Sequence, residues 1–283
     1  MKLKNIVVYY NPEKRKLISA LNKVKMILSK RKANFGIVSS HSDYNKKCDI
    51  ALSLGGDGTM LRVAQKTIFQ GVPLLGINLG TLGFLAEIDY HKLEESIDAI
   101  IQNKIKIQER MVLDVSIIPK NHGAKTVKKH VALNDCVIKL AVESRVISIT
   151  AYVNELFLTT YIGDGVIVAT PTGSTAYSLA AQGPIVQPDM DLFIMTPICP
   201  HSLTQRPLII DNSSKIKLHV DDSERDHVIK LSIDGQMDFE LYSGDTVFIQ
   251  KSRHKFLLAT PLDKNYFQIL RKKLNWGAGK LVG

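Results

Sequence analysis

An apolar stretch, Ile50-Ala51-Leu52-Ser53-Leu54, runs straight into Gly55-Gly56-Asp57-Gly58-Thr59, and Met60-Leu61-Arg62-Val63-Ala64-Gln65-Lys66 follows. The first part reads as a buried strand and the last as the opening turns of a helix. Three glycines in four positions allow a sharp turn with bare backbone N–H groups. At a helix N-terminus such N–H groups favour an anion. The local chemistry is therefore that of a phosphate cradle, with Gly55, Gly56, Gly58 and Thr59 as its contacts. Asp57 places a carboxylate where anions bind. It can stay there if a divalent cation screens it or if it takes a proton during a reaction. A carboxylate beside a hydroxyl that attacks a phosphoryl group is the general-base arrangement of a kinase. The plainer alternative is that Asp57 caps the helix.

The surrounding pattern alternates strand and helix. Residues 5–10 read as a strand, and Leu17, Leu21, Val24 and Leu28 recur at helical spacing over roughly 13–32. Strands are predicted at 35–39 and 49–54. A helix is predicted to about Gln70, a further strand at 72–77, and another helix through Leu93, Ile97, Ile100 and Ile101. Such alternation implies a parallel sheet covered on both faces, with ligands outside the carboxyl ends of its strands. The glycine-rich turns at 55–58 and 76–83 both lie at strand carboxyl ends and would face the same crevice.

Near residue 108 the period becomes two: Met111, Leu113, Val115 and Ile117 alternate with Val112, Asp114 and Ser116. Short strands are predicted at 131–139, 145–153, 155–160, 166–170, 192–197, 206–210, 215–220, 228–234, 246–250 and 256–259. Turn signals at Asn121-His122-Gly123, Gly163-Asp164-Gly165, Asp221-Asp222 and Ser243-Gly244-Asp245 separate many of them. That is an all-β domain of two stacked sheets. A last helix is expected at about 264–274, followed by a mobile tail, Gly277-Ala278-Gly279-Lys280, that lacks the spacing of a P-loop.

Within the β region, Thr170-Pro171-Thr172-Gly173-Ser174-Thr175-Ala176-Tyr177-Ser178 is densely polar. The hydroxyls of Ser174 and Thr175 can cap a helix or donate to a ligand, and Tyr177 offers a flat face to a base. The alternative is a Ser/Thr-rich turn with a buried tyrosine. Asn134-Asp135 interrupts apolar residues on both sides. An Asn and a carboxylate can hold the two hydroxyls of a ribose, and a β-bulge or turn is the competing reading. Gly163-Asp164-Gly165 and Ile233-Asp234-Gly235 read as hairpin turns by themselves.

Charge and composition narrow the class. With 37 basic and 27 acidic residues the net charge is +10, which suits an anionic ligand. Nucleic acid is disfavoured as the main partner: zinc-finger spacing, an RNP aromatic pattern and a helix-turn-helix are all missing. The clusters Lys14 to Lys16, Lys30 to Lys32 and Lys125 to Lys129 read as solvated faces or loops. No run reaches the ~18 apolar residues that span a bilayer. The apolar start at Ile6 to Tyr10 is too short for a signal peptide, so a soluble cytoplasmic protein without a membrane partner is expected. Cys48, Cys136 and Cys199 show no metal spacing and sit in apolar contexts, which predicts buried free thiols.

Taken in order, these motifs resemble the NAD kinase family, which phosphorylates the 2′-hydroxyl of the adenosine ribose of NAD. The resemblance spans nearly the whole chain. It rests on Gly55 to Thr59, on Gly76-Ile77-Asn78-Leu79-Gly80-Thr81-Leu82-Gly83-Phe84-Leu85, on Leu133-Asn134-Asp135, on Gly163-Asp164-Gly165 and on Thr170 to Ser178. The first motif is shared with lipid kinases; the last, in combination with it, is specific. The resemblance implies a Rossmann-like α/β domain over 1–107, a β-sandwich domain over 108–261 that binds NAD, and a final segment, 262–283, that returns to the first domain. Asp57 would be the catalytic base or metal-organising carboxylate. Asn134 and Asp135 would hold the ribose, and Gly58, Phe84, Thr175, Ala176, Tyr177, Ala180 and Asp234 would complete the NAD site. Asp164 would contact the ligand, from the same chain or from a neighbouring subunit. The family implies Mg²⁺, ATP or inorganic polyphosphate as donor, and a homo-oligomer, dimer or tetramer.

Three positions depart from the family pattern. Asp135 stands where many members have Glu, Ile162 where several bacterial members have Arg, and Gln182 where the usual Gly-Gly-Pro begins. Other classes make different predictions. A lipid kinase would need a membrane-docking segment. A nucleotide sensor would bind without turnover. A nucleic-acid binder would weaken steeply with salt.

Overall fold

The computed structural model describes residues 5–276 apart from 15–16, 43, 45, 81–82, 87, 121–127, 142–145, 222–227 and 263–264. Thr81 and Leu82 of the second glycine motif, the turn at Asn121 to Gly123, Asp222, parts of two lysine clusters and the 277–280 tail lie outside the described residues. Two compact units form: residues 1–109 with 256–283, and residues 110–255.

The first unit is α/β. Strands β1 (Asn5–Tyr10), β2 (Asn34–Ser39), β3 (Ile50–Leu54) and β4 (Leu74–Asn78) pair in parallel in the order β2-β1-β3-β4. They alternate with α1 (Leu17–Lys30) and α2 (Asp57–Gln70), and α3 (Leu93–Ile101) follows the two-residue β5 (Ile88–Asp89). β3 and β4 are buried at every residue, as both-face coverage of a parallel sheet demands. On one face Leu21, Val24 and Leu28 of α1 and Leu93, Ile97 and Ile100 of α3 meet Ile6, Val8, Ile50, Leu52 and Leu54. α2 covers the other face with Met60, Val63, Ala64 and Ile68, each fully or almost fully buried. Large apolar side chains there contribute about 1.5–3 kcal/mol apiece. Gly76 lets β4 pass under it, since a Cβ there would lie 2.9 Å from Met60 Sδ and 2.6 Å from Ala86 Cα. α2 stops at Gly71, which takes the left-handed conformation (φ 62°) and returns its N–H to Ile68 O.

The second unit is a sandwich of two antiparallel six-stranded sheets. One sheet has the order β11-β10-β15-β18-β7-β8. Its strands are β7 (Leu113–Ile118), β8 (Lys128–Ala132), β10 (Ile147–Val153), β11 (Leu156–Gly163), β15 (Ile216–Val220) and β18 (Thr246–Lys251). The other has the order β14-β13-β12-β9-β16-β17. Its strands are β9 (Asp135–Leu140), β12 (Gly165–Ala169), β13 (Leu192–Ile198), β14 (Leu208–Asp211), β16 (Ile229–Ile233) and β17 (Met237–Leu241). Val115, Ile149, Leu218 and Val247 from the first sheet meet Cys136, Val168, Phe193 and Leu231 from the second in one core.

Several expectations change. The strand expected at 131–139 is two strands, because the chain crosses from one sheet to the other at Leu133-Asn134. Gly163-Asp164-Gly165 is likewise a crossing between sheets, from β11 to β12, and not a hairpin. The strand Phe256–Pro261 (β19) belongs to the seven-stranded sheet of the first unit, beside β4, and β6 (Ile105–Arg110) lies at the edge next to it. It was expected in the sandwich because it follows β18 at hairpin spacing. Its consecutive buried residues Leu258, Ala259 and Thr260 mark it as a strand covered on both faces. β17 is not among the predicted strands, although Met237, Phe239 and Leu241 alternate with Asp238 and Glu240 at the period of a strand; the two acids keep the apolar content of the run low. Of the cysteines, Cys136 alone is buried; Cys48 is intermediate, and Cys199 is exposed in the bend after β13.

Candidate active site

Each unit carries a polar constellation. In the first, the chain leaves β3 through Gly55, whose φ of 146° suits only glycine, and enters α2. The helix cap is Gly56, with no side-chain hydrogen bond. The N–H groups of Asp57 and Gly58 have no partner among the described residues, which leaves an open helix N-terminus. Thr59, expected among the phosphate contacts, turns inward. Its N–H donates to Gly56 O, its side chain is buried, and a Cβ on Gly55 would meet its Oγ1 at 2.5 Å.

Asp57 does not cap its own helix. Its carboxylate reaches the second glycine-rich turn and accepts three consecutive backbone N–H bonds: Phe84 to Oδ2 (2.8 Å), Leu85 to Oδ1 (3.1 Å) and Ala86 to Oδ1 (2.9 Å). Gly83 makes this approach feasible, because a Cβ there would lie 2.0 Å from Asp57 Oδ1. The two turns therefore do meet at the carboxyl ends of β3 and β4, and the carboxylate is what joins them. Phe84, half-buried, has Lys273 of α5 (Tyr266–Leu274) over its ring at 5.8 Å.

In the second unit, three loops converge at one end of the sheet that contains β9, β12 and β16. Asp135 pairs with Ala169, and Cys136 with Ile233. Thr170 locks the first two loops together: its N–H donates to Asn134 O (2.8 Å) and its hydroxyl to Leu133 O (2.6 Å). Gly173 must be glycine for this contact, since a Cβ would lie 2.0 Å from Asn134 O. Asp234 supplies the third side. It stands in the β16–β17 turn with Gly235, both at positive φ (53° and 62°). Its carboxylate accepts the N–H groups of Leu133 (2.9 Å), Asn134 (2.7 Å) and Asp135 (3.2 Å). The hairpin reading of Ile233-Asp234-Gly235 is thus correct and incomplete.

Asp135, Val137 and Lys139 alternate onto the outer face of this sheet, opposite Cys136 and Ile138 in the sandwich core. There the backbone N–H of Tyr177 bonds the Asp135 carboxyl, and Lys139 Nζ stands 5.5 Å from the Tyr177 ring centroid. Tyr177 is 39% exposed. Burial first, then Cys199, Asp164 and Asp135, hold its phenol above the usual range. Asp135 is buried, and burial together with the Asp234 charge pushes its carboxyl up to about 7. Asn134 is half-buried, Thr175 and Ala176 are half-buried, and Ala180 is exposed at the end of α4 (Tyr177–Ala180). Asp164 is exposed and stands at the far end of β12, roughly 17 Å of strand from Asp135. There it accepts a hydrogen bond from Cys199, which raises that thiol. Ser174 is consumed internally: its hydroxyl donates to Pro171 O and accepts from Val186 N.

Residues 133–260 match the family described as ATP-NAD kinase C-terminal domain, and residues 3–105 match ATP-NAD kinase N-terminal domain. The chain belongs to the NAD kinase family. An NAD kinase from Acetivibrio thermocellus is 42% identical over 226 residues, 80% of this chain and 77% of its own length. One from Desulforamulus reducens is 41% identical over 243 residues, 85% of this chain and 82% of its own. Among solved structures, yeast NADH kinase complexed with NADH superposes with a TM-score of 0.89 at 24% identity, over 100% of this chain and 90% of that one. An NAD kinase from Archaeoglobus fulgidus in complex with ATP gives 0.71 at 23% identity, over 95% and 99%. These two share the fold. The groups beside the candidate residues that the sequence does not single out are the N–H groups of 84–86 and 133–135, and Lys139. Only Lys139 left a signal, the alternation along β9 that sets it on the Asp135 face.

Proposed function

We propose that this NAD kinase family member transfers the γ-phosphoryl group of ATP to the 2′-hydroxyl of the adenosine ribose of NAD, giving NADP and ADP. The observation that carries the reading is the Asp57 carboxylate held by three N–H bonds at the uncapped N-terminus of α2. A polyanion is favoured there, and the one carboxylate beside it is positioned without freedom to wander. In this mechanism the 2′-oxygen attacks the γ-phosphorus, the bond to ADP breaks, and the hydroxyl proton passes to Asp57. Asn134 and Asp135 hold the ribose, and Thr175, Ala176, Tyr177 and Ala180 line the base. Gly58 and Phe84 border the acceptor, and Gly55, Gly56 and Gly58 border the donor phosphates. Asp164, which is exposed, contacts the ligand from the same chain or from a neighbouring subunit.

Among the described residues no group of three or more His, Cys, Asp or Glu could hold a metal ion. A divalent cation would then arrive on the ATP phosphates, as Mg²⁺ commonly does, with Asp57 as its neighbouring carboxylate. It would supply charge neutralisation. The domain assignment that goes with the reaction is an α/β donor-binding domain and a β-sandwich NAD-binding domain. A cytoplasmic location agrees with the lack, among the described residues, of any helix long and apolar enough to cross a membrane. A homo-oligomer, dimer or tetramer, is the assembly that the family resemblance implies.

The test is NADP⁺ formation from NAD⁺ and Mg-ATP, read through a dehydrogenase specific for NADP⁺, with polyphosphate as second donor and NADH as second acceptor. Turnover with either donor supports the assignment. Saturable NAD⁺ binding without turnover makes the protein a nucleotide sensor instead.

A further inference from the structure

Two acids meet at the dinucleotide half-site, and their surroundings differ. Asp135 and Asp234 are 4% and 5% exposed. Asp234 receives the N–H groups of residues 133, 134 and 135, while its own N–H donates to Asp135 O (3.0 Å). Both of its oxygens are turned onto the backbone of the Leu133–Asp135 loop. Three N–H donors stabilise an ionised carboxylate there. The Asp135 carboxyl receives the single backbone N–H of Tyr177. Cys136 follows it on the same strand, and burial together with both carboxylates pushes that thiol well up. Lys139 lies on the same face as Asp135, over the Tyr177 ring. The Asp234 charge acts on Asp135, and two like charges that repel in a buried site do not both persist.

We propose that Asp234 is a positioning residue, and that Asp135 and Asp234 share one negative charge that resides on Asp234, so that Asp135 meets its ligand as a carboxylic acid. The proposal rests on the reading of Asn134-Asp135 as the ribose contact. In the acid form Asp135 donates an O–H and accepts through its C=O, which matches a hydroxyl that is itself donor and acceptor. The acid form also tolerates a phosphate monoester on that ribose, whereas an ionised Asp135 repels it. Burial and the Asp234 charge, which carry Asp135 up to about 7, place the switch in the physiological range. Binding of the phosphorylated product is therefore expected to weaken relative to substrate as pH rises through that point.

Infrared difference titration of the ligand-free protein between about pH 5 and 9 reads the proton directly, through the carboxylic-acid C=O stretch. The wild type is expected to lose one acid band near pH 7. The band should be missing in Asp135→Asn and moved to lower pH in Asp234→Asn, where asparagine keeps the turn and one acceptor. No acid band above about pH 5 in wild type, or an unmoved midpoint in Asp234→Asn, overturns the shared charge. Calorimetry with NAD⁺ and NADP⁺ tests the ligand side. The ratio of their Kd values should rise about tenfold across the transition in wild type and stay flat in Asp135→Asn. A flat ratio in wild type overturns the proposed effect on product. A wild type that shows the band yet binds neither dinucleotide supports the charge sharing and overturns the ribose reading.

Discussion

Single side chains carry the site through hydrogen bonds that oblige the backbone to adopt one shape. Asp57 and Asp234 do the same work in the two units, each drawing three consecutive N–H groups onto one carboxylate. Replacing Asp57 with Ala would orphan the largely buried donors of 84–86, so a stability loss of about 1–3 kcal/mol is expected from chemical denaturation, besides any catalytic effect. Gln182 occupies a left-handed conformation at φ 66°, where the family pattern has glycine. That conformation costs a non-glycine residue roughly 1–2 kcal/mol, partly offset by the entropy glycine loses on folding. Gln182→Gly should therefore raise stability by about 0.5–1 kcal/mol; a loss would show that the side chain has a contact of its own. Asp135 has a folded-state value of about 7, above its ordinary 3.8. The folded protein thus binds an extra proton between those values, and stability falls as pH rises through that window. Asp135→Asn removes the effect, so its stability relative to wild type should grow from about pH 4 to 7 and then level off, by a few kcal/mol at most.

At the scale of elements, glycines decide which loops touch. Gly83→Ala would drive a methyl into the Asp57 carboxylate and Gly173→Ala into the Asn134 carbonyl, each at 2.0 Å. Strain of about 1–3 kcal/mol is expected from each. Their kinetic signatures should differ. The Gly83 variant loses kcat, because the carboxylate moves; the Gly173 variant raises KM for NAD⁺, because the ribose loop moves. Equal effects on both constants in both variants would contradict this division. Much of this level was legible beforehand. Periodicity located β1, β3, β4, α1 and α2, and the switch to period two marked the sandwich. The crossings at 133–134 and 163–165 were not, because a bulge inside one strand accounts for the polar Asn134-Asp135 as well as a crossing does, and glycines frame the second as they would a hairpin. Nor could apolar content tell that β19 joins the first sheet, since membership is decided by what covers the strand's two faces.

The whole molecule is a basic, two-unit member of the NAD kinase family, with a net charge of +10 and anionic substrates. That balance should assist encounter more than chemistry. Raising salt from about 50 to 300 mM should increase KM for NAD⁺ and Mg-ATP a few-fold and leave kcat within about twofold. A collapse of kcat would instead point to salt acting on the assembly. The candidate residues were readable from sequence because side-chain chemistry is written there. Their supports were not, because a backbone N–H is the same in every sequence and only the fold aims it. The most direct measurement is kcat of Asp57→Asn beside wild type, with the NAD⁺ Kd of both by calorimetry. Asparagine keeps an acceptor for Leu85 and Ala86 and removes the base. With Asp57 as the base, kcat should fall about 10²–10⁴-fold while Kd stays within about threefold. Turnover near the wild-type rate would contradict it.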